Sequence, residues 1–141
     1  MNSEEEINEF FSKFGIKQKE ISSAVKKGSE ETEPGIRTLT LFRRKLSKLK
    51  KNRDFRIELL KCVVMVMKNP YVGVRKKGVL KGLRVLEMDY FKNGRLVYSY
   101  IKESNTIHFI AVGSHADIGS KYEVIKNNLG DKLRYYNKRG E

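Results

Sequence analysis

The sequence predicts an α+β fold, a small antiparallel sheet packed against two helices. Three observations carry this. First, residues 83–88, 95–101 and 106–112 are short apolar runs joined by the turns Lys92-Asn93-Gly94 and Glu103-Ser104-Asn105. Asn-Gly is a strong hairpin signal, and connections this short produce an antiparallel meander. Second, residues 55–68 form a helical stretch that is apolar nearly all round (Leu59, Leu60, Val63, Val64, Met67) and is therefore expected to be the buried helix. Third, residues 37–42 (RTLTLF) alternate and favour a short strand that joins the meander.

The remaining elements follow in order. Ser3 precedes three glutamates, which suit a helix N-terminus. Ile7, Phe10, Phe11 and Phe14 then repeat at i, i+3, i+4, i+7, so residues 3–27 are read as helical, with a break at Gly15. Residues 28–35 (GSEETEPG) have linker composition and separate this extension, residues 1–35, from a main domain at 36–141. Residues 43–51 (RRKLSKLKK) form a basic amphipathic helix with Leu46 and Leu49 turned inward. Asn52 or Asp54 caps the next helix, and Asn69-Pro70 stops it. Residues 71–81 are read as a loop rich in glycine and lysine, and residues 120–136 as a closing helix.

Bulk properties narrow the partners. The 141 residues carry 30 Lys and Arg against 17 Asp and Glu, a net charge of +13. Residues 1–35 contribute −3 of this and the remainder +16. A field of that size seeks polyanions, because each cation that meets a phosphate releases a condensed counterion. Cys62 is the single cysteine, so no internal disulfide forms, and its apolar surroundings make it a small hydrophobe rather than a nucleophile. An acidic N-terminus and a longest apolar run of residues 62–67 fit neither a signal peptide nor a membrane span. A soluble protein of the reducing cytoplasm is expected, with no cofactor and no metal, since two histidines without cysteine partners make a poor metal site.

The order strand, helix, helix, Asn-Pro, basic loop and meander resembles the RelE/ParE superfamily of toxin–antitoxin toxins. The matching residues are Phe42-Arg-Arg-Lys-Leu-Ser-Lys-Leu49, Lys68-Asn-Pro-Tyr71, Lys81-Gly-Leu-Arg84, Gly94-Arg-Leu-Val-Tyr98 and Ile110-Ala-Val-Gly-Ser-His115. They span about residues 36–125, and residues 1–35 fall outside the resemblance. It implies a toxin neutralised by a cognate, acidic antitoxin. RelE-like members cleave mRNA on the ribosome without a metal, whereas ParE-like members inhibit DNA gyrase. Fold alone does not choose between them.

Metal-free RNA cleavage needs a base for the ribose 2′-OH, cations for the charged phosphorane, an acid for the departing 5′-oxygen and a platform for the base. The resemblance assigns Arg95 to the scissile phosphate; the alternative is a solvated strand-end arginine. It gives His115, after Val112-Gly113 and amid polar neighbours, a catalytic role, against a plain surface corner. Histidine suits proton transfer because its unperturbed pKa of roughly 6.5 lies near working pH. Tyr122 stands one position from the family's tyrosine and either stacks on substrate or packs in the helix. Where RelE-like enzymes carry basic residues, this chain has Glu87 and Asp89; either Glu87 is the general base or the site is weakened. Arg84, Lys76, Lys77 and Lys81 form a cluster suited to phosphate contacts with RNA. Alternation puts Ile107, Phe109 and Ala111 on one side of their strand and His108, Ile110 and Val112 on the other, which leaves His108 a structural role. Tyr98 and Tyr100 are expected to pack against a helix.

An endoribonuclease that cleaves mRNA on the ribosome, and so inhibits translation, accounts for Arg95, His115 and Tyr122 together. A gyrase-inhibiting toxin needs no acid–base histidine. A catalytically weakened RNA-binding homologue is the third reading, encouraged by Glu87 and Asp89.

Overall fold

The computed structural model describes residues 34–76 and 82–120, together with Ile125. The predicted N-terminal helices over 3–27, Lys77, Lys81, Tyr122 and most of the closing helix lie outside the described residues. Within them the order is β1 (Gly35–Thr38), α1 (Thr40–Leu49), α2 (Arg53–Lys68), β2 (Val74–Arg75), β3 (Arg84–Met88), β4 (Gly94–Ile101), β5 (Thr106–Ser114) and α3 (His115–Ser120). The α+β class, the two helices and the three-strand meander are those the sequence predicts. The five strands form one sheet in the order β1-β5-β4-β3-β2.

Three expectations change. The sheet is mixed, because β1 runs parallel to β5, pairing Gly35 with Thr106 and Thr38 with Phe109. The stretch read as a strand to residue 42 leaves the sheet at Leu39 and is helical from Thr40. Phe42 and Leu46, one helical turn apart, are both fully buried, and their 3.6-residue period overrides the alternation of RTLTLF. Part of the glycine- and lysine-rich loop is strand β2, a two-residue edge paired with Val85 and Arg84.

Capping follows the side chains. Asn52 Oδ1 accepts the Phe55 N–H at 3.1 Å, so Asn52 caps α2 while Asp54 lies in its first turn. At the other end Asn69 Oδ1 accepts the Tyr71 N–H across Pro70 at 3.2 Å. α2 is less enclosed than its composition suggests. Phe55, Leu59, Cys62, Val63, Val66 and Met67 are buried, whereas Ile57 and Met65 are 42% and 46% exposed.

Both faces of the sheet are covered. On one, α1 and α2 pack against Met88, Leu96, Tyr98, Ile107, Phe109 and Val112. On the other, Leu83, Val85, Val97, Ile101, Ile110 and Ala111 gather with Ile118 and Ile125. A β-bulge in β5 decides which residue goes where. Tyr98 pairs with Phe109 and Val97 with Ala111, so Ile110 is the extra residue. Ile110 and Ala111 therefore share a face, and the unbroken alternation expected over residues 107–112 fails at that point. Val112 returns to the helix side with Phe109.

Tyr98 is a buried strut. Its hydroxyl donates to Pro70 O at 2.8 Å and accepts from Gly73 N–H at 2.9 Å, tying the segment after α2 to the sheet centre. Burial raises its phenol pKa above the ordinary value, against the lowering effect of the Gly73 bond and of the Arg84 charge. Tyr98→Phe leaves both backbone groups without this partner. The expected cost is about 1–3 kcal/mol, read as a fall in the urea midpoint at unchanged slope.

Cys62 is buried, and its thiol pKa is pushed up to about 11, first by burial and then by the charges of Glu58 and Asp89, against Lys61. A thiol reagent at neutral pH should therefore label the native chain only as fast as it unfolds. The neutral form is the one the fold favours. Its contribution is complete below the ordinary pKa of 9 and is lost as pH rises through about 11, so thermal stability should decline over that window in wild type and decline less in Cys62→Ala.

Candidate catalytic corner

The corner is built where β3 and β5 end and β4 begins. The β3–β4 connection, residues 89–93, is clamped to the start of α2. Tyr90 N–H donates to Glu58 Oε1 at 2.7 Å, and Asn52 Nδ2 donates to the Tyr90 hydroxyl at 2.6 Å. Phe55 meets the rings of Tyr90 and Phe91 edge-on at 5.4 and 5.8 Å. The connection closes through Asn93, in the left-handed region at φ 50°, into Gly94. A Cβ on Gly94 would lie 2.3 Å from Met88 O, so only glycine fits there.

This turn places the two residues the sequence put foremost. Arg95 follows Gly94, and the His115 N–H donates to Asn93 O at 2.8 Å, docking the first residue of α3 on the same turn. Arg95 Nε then donates to His115 Nδ1 at 3.1 Å. Arginine can only donate, so Nδ1 is the bare ring nitrogen and the imidazole proton sits on Nε2. Helix α3 begins five residues before the predicted closing helix, and Ser114 Oγ caps it by accepting the Asp117 N–H at 3.0 Å.

Glu87, Arg95 and Gly113 form a row across the three strands, Glu87 paired with Arg95 and Arg95 with Gly113. The row lies on the α3 side, two residues along from Val85, Val97 and Ala111 respectively. Glu87 is exposed and makes no ion pair with its neighbour Arg95. At the glycine end, Lys45 Nζ bonds Asp117 Oδ2 at 3.0 Å and lies 5.6 Å from the Phe91 ring centroid. A Cβ on Gly113 would fall 2.9 Å from Asp117 Oδ2, so the glycine lets this ion pair close over the strand. Asp117 is thus tied to α1 as well as standing two residues from His115. Sequence reasoning did not single out Lys45, because nothing separates it from the other lysines of residues 43–51.

Arg84 lies on the other face of the sheet from Arg95. It pairs with Tyr98 in register, which puts it on the α2 face. There it donates to Gly73 O at 2.9 Å and Tyr71 O at 3.3 Å, with its guanidinium 5.1 Å from the Tyr71 ring centroid. That is a clip holding β2 and the residues before it. Lys76, whose N–H donates to Leu83 O, follows β2 on the far edge of the sheet. Tyr100 is half-buried, its hydroxyl bonded to Asn105 Oδ1 at 2.8 Å, away from the corner. His108 lies half-buried inside β5 between Ser99 and Arg37.

Among the described residues no helix is long and apolar enough to cross a membrane. Comparison with curated proteins found no match. Among solved structures, an arginine-to-alanine double mutant of E. coli toxin RelE in the free state is 18% identical, covers 72% of this chain and 98% of its own, and superposes with a TM-score of 0.52. The intact E. coli RelBE toxin–antitoxin complex contains a chain that is 21% identical, covering 56% of this chain and 93% of its own, with a TM-score of 0.46. The first likeness shows that the fold is RelE-like. A family model, described as the ParE-like toxin of type II bacterial toxin–antitoxin systems, matches residues 36–126. The chain therefore belongs to the ParE-like toxins of type II toxin–antitoxin systems.

Proposed function

We propose that this toxin is an endoribonuclease that cleaves mRNA, on the ribosome, by acid–base chemistry at the Glu87–Arg95–His115 corner. The supporting observation is the Arg95–His115 bond, which holds a permanent cation and a titratable ring together at an accessible strand end. A phosphodiester entering the corner competes with His115 for Arg95, and the guanidinium turns its donors to the non-bridging oxygens. His115, released at Nδ1, carries a proton drawn from solvent and faces the same phosphate as the general acid. Glu87 removes the 2′-OH proton, and the 2′-oxygen attacks phosphorus. The bond from phosphorus to the 5′-oxygen breaks, and His115 protonates that leaving oxygen. The products are a 2′,3′-cyclic phosphate and a 5′-hydroxyl. Residues 36–141 form the toxin domain in this reading, with Tyr122 a stacking or proton-donating group and Lys76, Lys77 and Lys81 serving more distant phosphates. The partner in the resting state is a cognate acidic antitoxin.

A second reading, inhibition of DNA gyrase without chemistry, is favoured by the ParE-like description of the matching family. A translating extract separates the two. Wild type should create new mRNA 5′ ends inside reading frames and leave gyrase supercoiling intact. Arg95→Ala and His115→Ala should each reduce cleavage by about 10²–10⁴-fold, with folding checked by circular dichroism, and Glu87→Gln should slow it comparably. An absence of new ends together with blocked supercoiling would assign the gyrase reading instead.

A further inference from the structure

Beside the corner, and outside the chemistry proposed for it, a cavity of about 210 Å³ lies between α1 and α3. Leu41, Ala111, Val112, Ile118 and Ile125 supply its apolar lining, and Arg44, Lys45 and Lys48 its cationic lining. Lys45 is engaged with Asp117, but Arg44 and Lys48 are exposed and make no ion pair among the described residues. The volume is below the roughly 300–1,000 Å³ of small-molecule pockets. It suits an apolar side chain or two delivered by an acidic segment.

We propose that the occupant is residues 4–14 of the same chain, bound in cis. This stretch, EEEINEFFSKF, holds four glutamates and the apolar residues Ile7, Phe10, Phe11 and Phe14. It lies outside the family match, which begins at residue 36, so it is an addition to the shared domain. Glu5 and Glu9 stand four residues apart, as do Arg44 and Lys48, and on helices both pairs repeat at one turn, about 6 Å. A phenylalanine supplies the apolar anchor. The tether is long enough. Gly35 pairs with Thr106, and the cavity opens five residues further along β5 at Ala111, about 17 Å away. Residues 28–33 alone span about 20 Å when extended. The docked glutamates meet Arg44 and Lys48 of α1, across a cavity whose lining includes Asp117 of the corner that would receive phosphate, so docking opposes polyanion binding there.

The chain contains no tryptophan, so Phe11→Trp in the full-length protein is a sole reporter. Its emission should be blue-shifted and shielded from acrylamide relative to a free peptide of residues 1–20 carrying the same substitution. The shift should be lost in Arg44→Glu/Lys48→Glu and recovered when Glu5→Lys/Glu9→Lys is added. Emission matching the free peptide, or a shift indifferent to both charge reversals, would overturn the proposal. A shift that grows with protein concentration would overturn the cis assignment in favour of a second copy. None of these readouts depends on RNA cleavage, so the outcome stands apart from that of the cleavage assay.

Discussion

The corner depends on one irregularity, the extra residue Ile110 in β5. A strand presents alternate residues to opposite faces, so inserting one residue exchanges the faces of everything beyond it. Before the bulge, Ile107 and Phe109 face the helices; after it, Val112 does, and Gly113 takes the opposite face. Gly113 thereby lines up with Arg95 and Glu87, and the chain leaves the sheet beside the Asn93–Gly94 turn. Without the bulge, Gly113 and the residues that follow would begin from the wrong side of the sheet.

What holds the corner is aromatic and largely remote from it. Phe55, Tyr90 and Phe91 interlock at the start of α2, and Glu58 and Asn52 bond the same connection. The Asn93–Gly94 turn is therefore anchored to a sixteen-residue helix rather than left as a free hairpin tip. Arg95 and His115 both hang from that turn. Loops positioned in this way on rigid elements are where functional groups concentrate.

Legibility in the sequence followed the locality of each signal. Asn93-Gly94 and Asn105 set both hairpin turns, with left-handed φ of 50° and 48° at the asparagines, and those turns were readable. Asn52, one of two candidate caps, and the Asn69-Pro70 stop were also readable, because capping involves neighbours only. The parallel pairing of β1 with β5 was not, since nothing within Gly35–Thr38 records its direction. The bulge was hidden as well, because residues 107–112 are apolar almost throughout and carry no face preference of their own. At the corner, Arg95 and His115 stood out through their neighbours and family likeness. Arg84, an equally basic residue at a strand start, differs only in the face its register assigns, and register is a long-range property.

The interior position of β5 has a consequence for biosynthesis. It lies between β1 and β4, although β1 precedes it by about seventy residues. During vectorial synthesis β1, α1 and α2 emerge early, yet β1 has no strand to pair with until β5 leaves the exit tunnel. Pairings this distant in sequence close late, because the loop entropy must be met before the contacts form. Arg95 has its partner only when His115 arrives immediately behind β5. A nascent chain is thus incapable of forming the corner until nearly all of the described domain has been made, so the Arg95–His115 bond is among the last contacts of the described residues to form.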